Sequence, residues 1–396
     1  MANENLNTTG TLTSSMQTFN DRVLLEAAKT RWVYAKYGQK KPIPRNSGKV
    51  ISFRRYERFD PTPANLELSE GVTPDGQTLS QTTVTATVKQ YGAYVTITDL
   101  LDLTALDDNT AAALELIGEQ LGTCADWIAR DAMVSGASVQ WANGKTSTLT
   151  IAATDIMTLV EIRKAVRTLT KAKARKFTSQ GADFICIISP DQKYDLFTDT
   201  FWQAIATHAD PSRAYDGEIG RCFGVAFVES TEAYVESQSV ANAVNANTSS
   251  ATTFVLKNTP SAAGVAYLST AGNKLKIGAN VAGATEYTIA SYVAATKTVT
   301  LSAAASLTAN HIVYSEDAGA PNATTGVAPD VHHAVMFGAD AYGIVDIDNS
   351  AAIKSYVNPP IDPLRQKWTV AGKVMAYGVK VLNNTWILDI QTSATA

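Results

Sequence analysis

The chain has 396 residues, of which 45% are hydrophobic and 18% charged, a composition typical of a globular protein with two or three domains. Its net charge of −4 excludes a global basic field of the kind that attracts nucleic acid. Three widely spaced cysteines (Cys124, Cys186 and Cys222) fit neither a disulfide framework nor a metal pair, which indicates a reducing compartment. Neither a secretion signal nor an apolar run of roughly 20 residues is present, so we expect a cytoplasmic, soluble chain.

The N-terminal region is predicted to be an arm followed by a helix. Residues 1–17 are rich in Asn, Thr and Ser and have few apolar anchors, so we expect them to become ordered only against a partner. Residues 18–36 have a helical pattern. The basic segment after them, rich in Pro and Gly, predicts a connector.

Two long strand-like stretches come next, at 49–59 and 81–98, with turn residues between them. They predict a thin β-ribbon with little apolar surface. Because an isolated two-stranded ribbon is marginal in water and its edges invite pairing, we expect its distal half, with the tip at 60–80, to lie on something outside its own domain.

The second stretch contains a switch of faces. Its apolar residues occupy even positions at first (Val84, Ala86, Val88) and odd positions later (Tyr91, Ala93, Val95, Ile97). Since side chains alternate along a strand, a one-residue slip exchanges the two faces. The sequence therefore predicts a bulge or strong twist at Gln90, Tyr91 and Gly92.

Two amphipathic helices follow. Residues 109–135 form the longer one, with an apolar stripe of Leu114, Ile117, Leu121, Cys124 and Ile128. Asp126 and Arg130 are spaced to pair on its surface. The second helix, at 155–172, turns Leu159, Ile162, Val166 and Leu169 inward. A basic stripe of Lys164, Arg167, Lys171 and Arg175 lies on another face; it either contacts phosphates or is simply solvated.

The rest of the chain alternates between mixed and all-β character. A buried strand is predicted at 182–189, and Ser189, Pro190 and Gln192 predict a capped helix that runs on to 205. Residues 237–322 lack Trp, Arg and Cys and contain short strands separated by turns, which predicts an inserted all-β sandwich or barrel. Two strands within 365–392 close the chain.

Motifs for catalysis or metal binding are weak. Gly144–Thr146 resembles the end of a phosphate loop, but Val139 stands where the earlier glycine is needed. His332 and His333 are adjacent in a predicted strand and point to opposite faces, so they cannot hold one ion together. We therefore expect no catalytic, cofactor or metal residues, and no enzymatic activity.

Four stretches carry a resemblance to a known family: residues 14–59, 70–107, 337–347 and 362–384. In this order they resemble the major capsid proteins of tailed bacteriophages, and more narrowly the family of N4-phage-like major capsid proteins. The resemblance implies an α+β fold of the Hong Kong 97 type, with an N-terminal arm, an extended β-hairpin loop, a peripheral domain with a long spine helix, and an axial α/β domain. An inserted small all-β domain would be added to it.

The resemblance also implies a division of the chain. The arm and its helix would occupy 1–47 and the extended loop 48–98, lying over a neighbouring subunit. The peripheral domain would comprise 99–182, with its spine helix at 109–136, and the C-terminal strands at 351–396. The axial domain would comprise 183–236 and 323–350, interrupted by the all-β insertion at 237–322.

A major capsid protein would assemble with itself into hexamers and pentamers of an icosahedral shell around double-stranded DNA. Portal, scaffold and decoration proteins would be further partners, a membrane would not, and the shell would form in the host cytoplasm. The candidate contacts between subunits are Arg54, Arg55, Glu57, Arg58, Lys40 and Lys41, and the basic stripe would face the interior. Two other readings are an encapsulin-type compartment shell and a structural or adhesion protein whose β-module binds a ligand.

Overall fold

The computed structural model describes residues 32–43, 48–57, 59, 61–63, 66–68, 70, 76–104, 109–177, 182–199, 202, 221–279, 283–315, 318–319, 328–347, 354–358 and 366–395. The predicted arm, most of the helix predicted at 18–36, and Arg58 lie outside these residues. Of that helix, only Tyr34–Lys36 are both described and helical, and they form a single 3-10 turn.

The secondary structure is mixed. The elements up to residue 198 are β1 (Gln39–Ile43), β2 (Val50–Tyr56), β3 (Gln81–Thr87), β4 (Lys89–Thr98), α1 (Asp99–Thr104), α2 (Asn109–Gly136), β5 (Ser138–Trp141), α3 (Leu159–Lys171), β6 (Phe184–Ile188) and α4 (Pro190–Thr198). The later elements are β7 (Arg221–Cys222), β8 (Val225–Glu229), β9 (Val235–Glu236), β10 (Ala241–Ala243), β11 (Thr248–Val255), α5 (Ala262–Ser269), β12 (Lys274–Gly278), β13 (Thr285–Val293), β14 (Thr298–Leu307), β15 (Ile312–Ser315), β16 (Val331–Phe337), β17 (Tyr342–Ile347), β18 (Lys354–Asn358), β19 (Lys367–Val381) and β20 (Ile387–Thr392).

The chain divides into two compact units. Unit 1 comprises Met1–Gly136 and Ala339–Asn384, and unit 2 comprises Ala137–Gly338 and Thr385–Ala396. These boundaries differ from the predicted ones, which placed 99–182 in one domain and 351–396 in the same domain. The reason is strand pairing: β5 is parallel to β20 in unit 2, whereas β19 belongs to a sheet of unit 1.

Unit 1 is built on a five-stranded sheet and the helix α2. The strand order is β1-β17-β19-β18, and β4 also pairs with the long strand β19. Helix α2 confirms the predicted long helix and packs on β19. Its buried stripe contains the small residues Gly118, Gly122, Ala125 and Ala129 beside larger ones. Leu114, Ile117 and Leu121 are buried as predicted, whereas Cys124 and Ile128 are only half-buried, because the second half of the stripe runs through Ala125 and Ala129.

Asp126 does not form the predicted surface pair with Arg130. The side chain of Asp126 is buried, and its Oδ1 accepts hydrogen bonds from the backbone N–H groups of Val33, at 2.9 Å, and Ala35, at 3.0 Å. Arg130 instead pairs with Asp131 at 2.8 Å. Burial raises the pKa of Asp126 to about 6, although these hydrogen bonds lower it.

The ribbon is shorter than predicted. Strands β2 and β3 pair with each other, from Val50↔Thr87 to Tyr56↔Gln81, and with no other strand among the described residues. The remainder of the predicted second strand, β4, leaves the ribbon and pairs with β19 instead. The hairpin loop predicted at 48–98 is therefore a two-stranded ribbon whose return strand continues into the sheet of unit 1.

Gln90, Tyr91 and Gly92 lie where β4 enters that sheet. The more buried side chains occupy even positions up to Val88 and odd positions from Tyr91 onward. Opposite this point, the register of β19 shifts between Val374 and Tyr377. The irregularity adds its extra residue to β19 and not to β4.

Unit 2 contains a seven-stranded sheet in the order β5-β20-β16-β6-β8-β7, with β9 also paired to β16. Helix α3 packs on one face of this sheet through Leu159, Ile162 and Leu169, while Val166 is partly buried. Strand β6 is fully buried, as predicted. Ser189 accepts from the backbone N–H of Gln192, whose side chain accepts from the backbone N–H of Ser189, which confirms the capping box. Helix α4 ends at Thr198, and of the rest of the helix predicted to 205 only Asp199 and Trp202 lie within the described residues.

Between β9 and β16, unit 2 contains a six-stranded sheet with its own core. The order is β10-β15-β12-β13-β14-β11, and a bridge between Val244 and Leu256 joins the two end strands into a closed barrel. Helix α5, capped by Ser261, was missed, so this part is not all-β. The chain enters and leaves at one point, where the backbone N–H of Ser315 donates to the carbonyl of Val240 at 3.1 Å.

Candidate assembly surface

The base of the ribbon is anchored in its own unit. Phe53, Ala86 and Val88 are buried in a small cluster with Val345 of β17. The ring of Phe53 lies over Gly343, where an added Cβ would stand 2.5 Å from the ring. Any larger residue at 343 would displace Phe53, so this glycine is required by close packing.

The distal part of the ribbon is different, because large apolar side chains there face solvent. Leu68 is 70% exposed, and the other members of this group are Tyr56, Phe59, Leu66 and Leu79. Glu67 and Glu70 lie among them and are also exposed. We call the described residues from Phe59 to Leu79 the ribbon tip. An apolar group of this size, beyond an anchored base, is typical of a surface that becomes covered by a partner.

A groove crosses the sheet of unit 1. Strand pairing places Tyr94, Ala371 and Tyr356 in one row on β4, β19 and β18. The two tyrosines lie on either side of the small alanine, and residues of these strands line an open cavity of about 600 Å³. We call this feature the tyrosine groove.

The tyrosine groove carries positive charge. Lys354 of β18 and Lys373 of β19 are direct cross-strand partners and are half-buried. Like charges at directly opposed positions destabilise a sheet, so this pair favours an acidic group nearby. Sequence reasoning missed the tyrosine groove because β4 is distant along the chain from the neighbouring strands β18 and β19. The only local signal was two tyrosines on the polar face of their strands.

The predicted contact residues fall into two groups. Arg54 and Lys40 are exposed, and Arg55 lines a small pocket at the end of α2. Two others are already engaged within the chain. Lys41 donates to the carbonyl of Ser52 at 2.9 Å, and Glu57 accepts from the hydroxyl of Thr82 at 2.8 Å.

The predicted basic stripe is also divided. Arg167, Lys171 and Arg175 are exposed. Lys164 differs from these three residues, because its Nζ forms an ion pair with the buried Glu161 at 2.7 Å and its charge is neutralised within the chain. Glu161 in turn accepts from the side chain of Gln140 at 3.0 Å, so this ion pair joins α3 to β5.

The histidine pair lies in the core of unit 2, on opposite faces of β16. Ser189 Oγ and Asp191 Oδ2 both face the Nδ1 atom of His332, at 3.0 and 3.8 Å. A nucleophilic triad needs the serine and the acid at opposite ring nitrogens. Burial lowers the pKa of His332, although the nearby carboxylates raise it. This arrangement is therefore a structural hydrogen bond at a helix cap.

His333 forms a buried ion cluster. Its Nδ1 lies 2.8 Å from Oδ2 of Asp389, and its Nε2 lies 3.6 Å from Oε2 of Glu236. Burial lowers the pKa of His333, but the hydrogen bond with Asp389 and the charges of both carboxylates outweigh it and raise the pKa to about 9. The cluster joins β9, β16 and β20 at the point where the chain enters and leaves the barrel.

This cluster predicts a loss of stability at alkaline pH. The pKa of His333 is about 6.5 when unfolded and about 9 when folded, so its contribution is complete below pH 6.5 and is lost as the pH rises through 9. We expect the loss to be roughly 3 kcal/mol, at 1.36 kcal/mol per pKa unit. Urea unfolding from pH 6 to 10 measures it. His333→Gln should show a flatter profile; an equally steep profile in this variant would contradict the assignment.

The described residues offer little for other chemistry. Within them, no group of three or more His, Cys, Asp and Glu side chains is placed to hold a metal ion. In the same part of the chain, no helix has the length and apolar character needed to cross a membrane. The ribbon tip and the tyrosine groove together form the candidate assembly surface.

Comparisons with known proteins identify the fold. A family model described as "Phage capsid protein" matches residues 124–285. No sequence among curated proteins matches the chain.

Among solved structures, the capsid of Ralstonia phage GP4 is similar with a TM-score of 0.56 and 14% identity, covering 93% of this chain and 91% of that one. The capsid of cyanophage P-SCSP1u has a TM-score of 0.53 at 14% identity, covering 92% and 88%. That of cyanophage Pam1 has 0.52 at 12%, covering 89% and 87%. The chain thus has the fold of tailed-phage capsid proteins, and its residues 124–285 match the phage capsid protein family.

Proposed function

We propose that this chain is a major capsid protein that assembles with itself into a closed icosahedral shell around double-stranded DNA. The observation that carries the proposal is a ribbon with an anchored base and an exposed apolar tip, on a capsid-type fold. A monomer gains nothing from exposing such a tip, whereas an assembled shell buries it at every copy.

The ribbon tip of one copy docks in the tyrosine groove of another. The tip is apolar and acidic, through Leu66, Leu68 and Glu67, and the groove is aromatic and basic. The leucines cover the tyrosine rings, and the glutamates relieve the repulsion between Lys354 and Lys373. The binding free energy of each single contact is modest, but the contact recurs at every copy in the hexamers and pentamers of a shell.

Charged residues near the ribbon fix the register of this contact more than its affinity. Arg54 and Lys40 are exposed and free to reach a neighbouring copy in this arrangement. Exposed ion pairs contribute only about 0.2–1 kcal/mol each, so they select the partner and its orientation. In this proposal the protein has no enzymatic role, and the shell forms in the host cytoplasm with portal, scaffold and decoration proteins as further partners.

Electron microscopy of the purified full chain tests the proposal. We expect uniform closed shells or arrays of hexamers and pentamers, and DNA inside shells isolated from infected cells. A chain that stays monomeric at every concentration and salt tested would refute it. Closed shells that hold enzyme cargo and no DNA would point to a compartment protein of the same fold.

The barrel is proposed to be an outward accessory that assembly does not need. Its two ends meet at Val240 and Ser315, which are hydrogen-bonded to each other, so residues 241–314 can be removed without stretching the remaining chain. We expect a variant with a short Gly-Ser link at this point to form shells of unchanged diameter under the microscope. Loss of shells in a variant whose remaining part still folds would show that the barrel contributes to assembly.

A further inference from the structure

Helix α3 and the turn after it form a concentrated basic segment in an acidic chain. Residues 161–176 contain seven cationic side chains and one acidic residue, Glu161, whereas the whole chain has a net charge of −4. The seven are Arg163, Lys164, Arg167, Lys171, Lys173, Arg175 and Lys176. Such a local excess produces a positive field that the total charge conceals.

The structure separates the internally neutralised cations from the others. Lys164 pairs with Glu161 at 2.7 Å, and Lys176 pairs with Asp183 at 2.6 Å. Arg167, Lys171 and Lys173 are exposed, and none of the three has an ion-pair partner within the described part of the chain. We call these three residues the basic surface.

Lys173 occupies a backbone position that favours glycine. It follows the C-cap of α3 with φ of 53°, and the backbone N–H of Ala174 closes the turn onto the carbonyl of Leu169 at 3.0 Å. A glycine at this position would remove the strain of the left-handed conformation. Lysine here gives up some stability and places a cation just beyond the end of α3.

The neighbourhood of the basic surface favours a polyanion over a protein partner. Every exposed residue from Arg167 to Lys176 is polar or charged. Protein interfaces have apolar centres and are depleted in lysine. Arg167 and Lys171 are one helical turn apart, about 6 Å along the axis, and duplex DNA presents a phosphate charge about every 1.7 Å. A regular phosphate backbone therefore offers each of the three cations a partner.

We propose that the basic surface binds the phosphate backbone of double-stranded DNA without regard to sequence. The identity of this DNA as a packaged genome rests on the proposed function, but the binding itself does not. Exposed arginine and lysine side chains displace counterions from the duplex, so the affinity falls as salt rises.

The test uses the full-length chain and a fluorescent 30-base-pair duplex of arbitrary sequence, with binding followed by anisotropy between 50 and 200 mM salt. The variant Arg167→Gln/Lys171→Gln/Lys173→Gln should reduce the slope of log affinity against log salt by two to three, at about 0.9 per phosphate contact. A matched control removes the same charge from the barrel, by Lys257→Gln/Lys276→Gln/Lys297→Gln, and should retain the original slope. Equal losses in both variants would overturn the proposal.

Three further measurements distinguish the possible outcomes. Lys173→Gly should melt at a higher temperature and bind the duplex more weakly; unchanged binding would remove Lys173 from the basic surface. A polyglutamate peptide of matched charge tests the alternative of an acidic protein segment, and binding as tight as that of the duplex would overturn the choice of DNA. Electron microscopy of the triple variant separates the two proposals, because empty shells still form if only DNA binding is lost.

Discussion

Replacing Phe59, Leu66 and Leu68 by serine is expected to abolish shell formation while the chain remains folded. All three side chains are exposed, so their loss should change the free energy of unfolding by no more than about 0.5 kcal/mol each. Assembly depends on burying them against another copy, and each lost contact recurs at every copy in the shell. Sedimentation should show a folded monomer at concentrations where the unmodified chain forms shells.

The matched control carries the same kind of change elsewhere. Leu149, Val160 and Tyr194 are exposed apolar residues of unit 2, and their replacement by serine should leave shells intact. If the control variant loses shells to the same extent, general surface hydrophobicity drives association and the ribbon tip has no special role. If the tip variant still assembles, the proposed contact is wrong.

Phe53→Ala is expected to produce the largest loss of stability, about 3–5 kcal/mol, because it leaves a cavity in the cluster that anchors the ribbon. Gly343→Ala should destabilise the same place by about 1–3 kcal/mol, since its new methyl group meets the ring of Phe53. Urea unfolding measures both losses. The yield of shells should also fall in both variants, because an unanchored ribbon presents its tip in many orientations.

A double variant separates anchoring from general damage. Phe53→Leu shortens the side chain above Gly343, so Phe53→Leu/Gly343→Ala should lose less stability than the sum of its two single changes. Strict additivity would mean that the two residues do not oppose each other, and the account of the ribbon base would fail. As a control, Leu275→Ala in the separate core of the barrel should be additive with Gly343→Ala.

The sequence predicted well those elements whose signals are local. The long helix α2 follows from a stripe that repeats every three to four residues, and the capped start of α4 follows from Ser189, Pro190 and Gln192. The strands of the barrel follow from short apolar runs between turns. Helix α5 was missed because its eight residues contain Gly264, Val265 and Tyr267, which weaken a helical pattern.

Features that depend on distant partners could not be predicted in the same way. Asp126 was assigned to a surface pair because Arg130 is near in sequence, but its hydrogen-bond donors are more than 90 residues away. Strand β4 was assigned to the ribbon, yet its partner β19 lies about 270 residues later. The tyrosine groove has the same origin, since only this long-range pairing brings Tyr94 beside Tyr356.

Disulfide trapping between two copies tests the central claim most directly. One preparation carries Leu68→Cys and another, lengthened by a tag, carries Tyr356→Cys, and the two are mixed, assembled and oxidised. The account predicts a cross-linked species with one chain of each length, formed only when shells form. A disulfide that forms readily within single chains carrying both cysteines, while mixed shells give none, would show that the ribbon packs on its own chain and would contradict the account.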